Sequence, residues 1–178
     1  MSESSRKHKA EAPTRLGFAI IVVSTSRFEA LKLTKHVDDP SGDLIAQLLE
    51  KAGHKIAYRV LIPDDRGLIG QKMSEALGLK EVDAIITCGG TGIAPSDVTI
   101  ETVRPMLSKT LPGFGELFRK LSFEEIGSAT LLSRAIAGVA DGKAVFCLPG
   151  SPHAVRLCVE KLILPEAGHI VKHAREKA

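Results

Sequence analysis

The stretch Val82-Asp83-Ala84-Ile85-Ile86-Thr87-Cys88-Gly89-Gly90-Thr91-Gly92, with Asp97 five residues beyond it, decides the fold class. Its first half is nearly all apolar, the composition of a parallel strand buried on both faces by helices. Its second half is a glycine loop, which lets backbone amides approach a ligand closely. Open parallel sheets bind ligands in the crevice beyond the carboxyl ends of their strands. Gly89, Gly90, Thr91 and Gly92 therefore read as a phosphate cradle, with Asp97 near enough to hold a metal or orient phosphates. Two better-known glycine motifs are excluded. Pro95 lies where a dinucleotide fingerprint wants its third glycine, and no Gly-Lys-Ser/Thr occurs in the chain. Taken alone, the loop is also explained by a tight strand-to-helix turn.

Working outward, strand and helix patterns alternate, the signature of a doubly wound parallel sheet. Leu16 to Val23 reads as the first strand, emptying into a polar stretch from Ser24 to Pro40 that is expected to be a long functional loop. Ser41-Gly42 opens a helix with the apolar face Leu44, Ile45, Leu48, Leu49 and Ala52, closed by Gly53. Ile56 to Ile62 is a strand running into Pro63-Asp64-Asp65. Asp65 there can cap a helix bearing Leu68, Ile69, Met73 and Leu77, which leaves Asp64 at the strand's carboxyl end. A short helix is expected from about Thr99 to Leu107, bent or shortened by Pro105. Leu117, Phe118, Leu121 and Phe123 follow at helical spacing as core or subunit-contact residues. Asp141-Gly142 between Ala135–Ala140 and Lys143–Leu148 signals a type I′ hairpin, and Ser151 with Pro152 caps and opens a further helix. The expected fold is α/β: a three-layer, doubly wound, mostly parallel sheet with helices on both faces and an antiparallel edge hairpin.

The length of 178 residues suits one domain, read as residues 15–178 behind a disordered tail of residues 1–14. Part of the net charge of +3 sits near that tail, on Arg6, Lys7, Lys9 and Arg15. No stretch approaches the roughly 20 apolar residues of a membrane span, so a cytoplasmic protein without membrane contact is expected. Cys88, Cys147 and Cys158 are odd in number and without CxxC spacing, which reads as buried thiols in a reducing compartment. The six histidines are read as scattered, with no dedicated zinc site expected. Basic residues are dispersed, and with no Trp and one Tyr the chain has few stacking surfaces for nucleic acid.

Three loops at strand carboxyl ends carry polar groups: Ser24 to Arg27, Asp64-Asp65, and Gly89 to Asp97. Asp64 and Asp97 could share magnesium, a hard cation that takes one or two carboxylates and keeps several waters. Two acids and an amide cradle suit phosphoryl or nucleotidyl transfer, which needs positioning and charge neutralisation rather than a protein nucleophile. Helix capping accounts equally well for any one of these aspartates, dipole stabilisation for Glu116, and a surface ion pair for Arg134. A flavin-binding redox module is a competing class, because Val23-Ser-Thr-Ser26 resembles a hydroxyl-rich phosphate loop, although few aromatic side chains are at hand for the ring.

Taken in order, Asp39-Pro-Ser-Gly42, Pro63-Asp64, Gly89-Gly-Thr-Gly92 with Asp97-Val-Thr99, Pro112-Gly-Phe-Gly-Glu116, Leu132-Ser-Arg134 and Leu148-Pro-Gly-Ser-Pro152 resemble the MoaB/MogA family, which includes the G domain of gephyrin. The match runs from Leu16 to about Pro165, and Leu121-Ser-Phe-Glu-Glu-Ile-Gly127 is similar to the MoaB branch. The MogA branch tends to carry Ser-Asp after the first strand, where this chain has Ser24-Thr25. The resemblance implies a molybdopterin adenylyltransferase of molybdenum cofactor biosynthesis that uses ATP and magnesium and releases pyrophosphate; a non-catalytic molybdopterin carrier or scaffold is the alternative. By the same resemblance Asp64 and Asp97 would serve catalysis and metal. Gly89 to Gly92 with Pro149, Gly150 and Ser151 would border the nucleotide. Ser24, Ser26, Ser41, Gly42, Gly113, Gly115, Glu116, Ser133 and Arg134 would contact substrate. The family's trimers, in some members paired into hexamers, and a downstream molybdenum-insertion protein are the partners it implies.

Overall fold

The computed structural model describes residues 12–176. Its strands are β1 (Gly17–Val23), β2 (Lys55–Ile62), β3 (Ala84–Cys88), β4 (Lys109–Thr110), β5 (Ile136–Ala140) and β6 (Lys143–Leu148). They form one sheet in the order β2-β1-β3-β6-β5-β4, in which β2, β1, β3 and β6 are parallel and the β6-β5 and β5-β4 pairs antiparallel. The helices are α1 (Thr25–Thr34), α2 (Pro40–Lys51), α3 (Arg66–Gly78), α4 (Thr99–Val103), α5 (Pro112–Ile126), α6 (Pro152–Cys158) and α7 (Leu164–Ala174). A single π-type turn, Val159–Ile163, joins α6 to α7.

Every residue of β1, β3 and β6 is buried, because helices cover both faces of the sheet. Alternate residues serve the two faces. Phe18, Ile20, Val22, Ile86 and Phe146 pack with Ile45, Leu49, Phe118 and Val155 on one side. Ala19, Ile21, Val23, Ile85 and Val145 pack with Ile69, Met73, Ile100 and Val103 on the other. Two separate apolar layers around one sheet give the three-layer architecture expected from the sequence. The hairpin turn has positive φ at both central residues, 49° at Asp141 and 71° at Gly142, as the type I′ reading requires. β4 continues the sheet beyond that hairpin, so β4 and not β5 is the edge.

The first connection differs from expectation. Ser24 to Pro40 is not a long loop: α1 occupies Thr25–Thr34, with the Ser24 side chain accepting the amide hydrogen of Arg27 as its N-cap. This helix has no buried residue and no apolar stripe, so hydrophobic periodicity gives no sign of it. Residues 1–11 of the expected tail lie outside the described residues. Pro13 sets its carbonyl against Gly168 of α7. All three cysteines are free and buried.

Candidate active site at the carboxyl ends of the sheet

The register of the parallel strands aligns their carboxyl ends. Val23 pairs with Ile62, Val22 with Cys88, and Cys88 with Leu148, so Gly89 and Pro149 emerge one residue before the level of Ser24 and Pro63, and all four loops open at the same end of the sheet. Backbone bonds from Ser24 N–H to the Ile62 carbonyl (2.8 Å) and from Gly89 N–H to the Leu148 carbonyl (3.0 Å) extend that alignment into the loops. The chain leaves β1 for β2 on one side and reaches β3 on the other, which makes the β1/β3 boundary the topological switch point. A cavity of about 780 Å³ opens there. It is lined by the expected Ser24, Ser26, Asp64, Gly89, Gly90, Thr91, Gly92, Asp97, Ser133, Arg134, Pro149 and Gly150, joined by Thr25, Arg27 and Ser96.

Asp64 is held by Thr25. Its Oδ2 accepts from the Thr25 N–H (3.1 Å) and Oγ1–H (3.0 Å), while its own N–H lies 3.0 Å from the Thr25 Oγ1. The other carboxylate oxygen faces the glycine loop: a Cβ on Gly90 would lie 2.5 Å from Asp64 Oδ1 and 2.5 Å from Thr99 Oγ1, with φ at +60°. Only glycine permits so close an approach in that conformation. Thr99 is buried and donates to the Gly89 carbonyl (2.9 Å), which pins the loop from beneath. Asp97 folds back on its own turn, Oδ2 accepting from Ala94 N–H (2.9 Å). Asp65, not Asp64, takes the capping role at α3, its Oδ1 accepting from Leu68 N–H at 2.8 Å.

Arg134 forms the far wall. Its Nε–H donates to the Thr91 carbonyl (2.8 Å), and Nη1 and Nη2 grip Glu101 at 2.6 and 3.3 Å. The Arg134 hydrogen bond holds the Glu101 carboxyl below its ordinary range. Arg134 is thus the ion-pair residue of the simpler reading and a cavity wall at once. Arg27, which sequence reasoning quoted but did not assign to the site, lines the cavity and approaches Asp39 at 3.7 Å. Cys88 reaches the cavity too, but burial pushes its thiol up to about 12, which removes it as a nucleophile.

Several expected residues lie elsewhere. Ser41 and Gly42 sit behind the cavity in the first turn of α2. The fully buried Ser41 donates to the Gly150 carbonyl at 2.7 Å. A Cβ on Gly42 would collide with Asp39 Oδ2 at 2.0 Å. That aspartate caps α2 and takes an ion pair from Arg59 at 2.7 Å. Ser151 caps α6 through the Ala154 N–H at 3.2 Å. Gly115 and Glu116 line a second cavity of about 300 Å³ with Arg104 and Arg119, and Gly113 opens α5. The tie between Asp64 and Thr25 spans 39 positions in sequence and has no local signal.

Residues 19–169 match the family model described as "Probable molybdopterin binding domain". The chain belongs to this molybdopterin-binding family. It aligns with its relatives almost end to end. It is 45% identical over 170 residues to the molybdenum cofactor biosynthesis protein B of Halalkalibacterium halodurans, covering 95% of this chain and 96% of that protein. It is 41% identical over 174 residues to the molybdopterin adenylyltransferase of Pyrococcus furiosus, covering 96% and 98%. A crystal structure of a molybdenum cofactor biosynthesis protein B, 43% identical, superposes with a TM-score of 0.85 over 94% of this chain and all of that one. The three-layer fold is that of a family working in molybdenum cofactor biosynthesis.

Proposed function

We propose that this protein adenylylates molybdopterin at the β1/β3 cavity. The observation that carries the reading is the convergence, in one cavity at the switch point, of an amide-rich glycine loop, two carboxylates and two guanidinium groups. The family membership and the adenylyltransferase relatives supply the substrate class. In the reaction a terminal phosphate oxygen of the pterin attacks the α-phosphorus of ATP. A new P–O bond forms there, the α–β bridging bond breaks, and pyrophosphate leaves with the electron pair.

The chain's own residues position and neutralise. Amides of Gly90 to Gly92 cradle phosphate oxygens, and the Ser24 and Ser26 hydroxyls at the start of α1 donate to a second anionic group. Arg27 and Arg134 balance charge that spreads over the oxygens in the transition state. Asp64 and Asp97 fit magnesium by chemistry, being oxygen donors on one cavity. No group of three or more His, Cys, Asp or Glu side chains with metal-holding geometry occurs among the described residues, so phosphates and water would complete the shell. Bound magnesium would supply Lewis-acid charge stabilisation at the phosphates. No aromatic side chain lines the cavity among the described residues, which disfavours a flavin there.

An apolar surface suits the trimer, and the hexamer built from it, that the family resemblance implies: Phe123, Ile126, Leu131 and Leu132 are 62%, 47%, 84% and 59% exposed at the end of α5 and beyond it. Light scattering of the purified chain reads that assembly directly. The reaction is tested by mixing protein, molybdopterin, magnesium and ATP and separating the products. Adenylyl-molybdopterin is expected from the native chain and is lost in Asp97→Asn. Pterin binding without product would move the protein to the carrier role.

A further inference from the structure

A second cluster of ligating side chains lies at the opposite end of the sheet, on α7. Arg175, just past this helix, donates to the Gly142 carbonyl (3.1 Å) and pairs with Asp83 (2.7 Å), which anchors it beside the amino-terminal ends of β6 and β3. His169 and His173 stand one helical turn apart, a spacing that the reading of scattered histidines passes over. Their Nε2 atoms are 2.9 Å apart, with ring centroids at 4.6 Å and planes inclined by 58°.

The other nitrogen of each ring faces a carboxylate: His169 Nδ1 lies 3.3 Å from Glu166 Oε2, and His173 Nδ1 lies 2.8 Å from Glu176 Oε2. An ionised carboxylate only accepts, so each Nδ1 donates to its carboxylate, and the 2.9 Å between the two Nε2 atoms is a hydrogen-bond distance, with one hydrogen lying between them when no metal is bound. A metal ion that replaces this hydrogen takes a lone pair from each imidazole at one point. A carboxylate on the far nitrogen is the arrangement that orients metal-ligating histidines and raises their basicity. The spacing fits as well. Two nitrogens each about 2.0–2.1 Å from a metal stand roughly 2.9 Å apart at a right angle and roughly 3.3 Å apart at the tetrahedral angle. Both values lie within a small side-chain adjustment of the 2.9 Å hydrogen-bonded separation.

We propose that His169 and His173 form a two-imidazole site for a divalent transition metal, with Glu166 and Glu176 as positioning residues. Among the described residues no third His, Cys, Asp or Glu side chain joins the pair in a metal-holding group. Both rings are partly exposed, at 25% and 44%, and border a cavity of about 400 Å³ that admits the ion. The bound metal staples the last turns of α7. It is separate from any magnesium at Asp64 and Asp97, whose oxygen donors prefer a harder ion.

The test titrates the tag-free full chain with copper(II) or nickel(II) in excess magnesium, by calorimetry and by electron paramagnetic resonance for copper. One ion per chain in the micromolar range is expected, with hyperfine structure from two nitrogens and a raised melting temperature. His169→Gln and His173→Gln are each expected to weaken binding at least tenfold while retaining the native circular dichroism; His36→Gln, on a side chain 88% exposed elsewhere, leaves it unchanged. Binding that survives the double variant, coordination by a single nitrogen, or no stoichiometric binding overturns the proposal.

Discussion

Replacing Gly90 with alanine tests the geometry of the cavity most sharply. The added Cβ would stand 2.5 Å from both Asp64 Oδ1 and Thr99 Oγ1, where ordinary contact begins at 3.4 Å, so each oxygen must retreat by 3.4 − 2.5 = 0.9 Å. The left-handed backbone at φ +60° adds about 1–2 kcal/mol for any side chain. Moving Thr99 loosens its 2.9 Å bond to the Gly89 carbonyl, about 1 kcal/mol more. The sum, about 2–3 kcal/mol, lowers the melting temperature by roughly 4–12 °C for a chain of this size. The catalytic loss is larger, because misplacing a reacting group by about 1 Å costs on the order of 100-fold in rate. Urea unfolding and adenylylation assays read the two effects separately. Gly78→Ala, where a Cβ meets nothing within 4 Å at the end of α3, serves as the control and is expected to leave both intact. A Gly90→Ala protein with native stability and native turnover would refute the account of the loop.

Arg134→Lys keeps a cation but loses the bidentate grip on Glu101 and the bond to Thr91; about 1 kcal/mol of stability and roughly tenfold in kcat/KM are expected to go, read by unfolding and initial rates. Cys88→Ala is expected to hold turnover within about threefold at neutral pH, because a thiol raised to about 12 by burial takes no part; a hundredfold loss would contradict this. His54 accepts the Leu16 N–H through Nδ1 (3.2 Å), and burial lowers its pKa. The folded state therefore binds fewer protons there than the unfolded chain. Stability from this group is present above the ordinary imidazole value of about 6.5 and declines as pH falls below it, so His54→Gln is expected to flatten stability measured from pH 7 to pH 5.

What the sequence disclosed tracks what local physics writes into it. Strands buried on both faces are near-continuous apolar runs, so β1, β3 and β6 could be read directly, as could the caps at Asp65 and Ser151. Helix α1 could not, because a helix that buries nothing leaves no periodic trace. The two residues of β4 are too few to form a pattern, and α7 hides behind the π-type turn that prolongs α6. At the site, the glycine loop and both aspartates were visible because their residue types are rare in that combination. The roles of Thr25 and Thr99 were not, since hydrogen bonds across 39 and 10 positions exist only in the folded chain. Ser41 and Gly42 show the converse: a recognisable motif whose side chains brace the Gly150 loop from behind the cavity.

The most direct test is a single-turnover experiment with α-labelled ATP, magnesium and molybdopterin, quenched at intervals and resolved by chromatography. Label is expected on the pterin in step with one equivalent of pyrophosphate, in the native chain but not in Asp64→Asn. Pterin bound stoichiometrically with all label remaining on ATP would contradict adenylyl transfer as the work of this cavity.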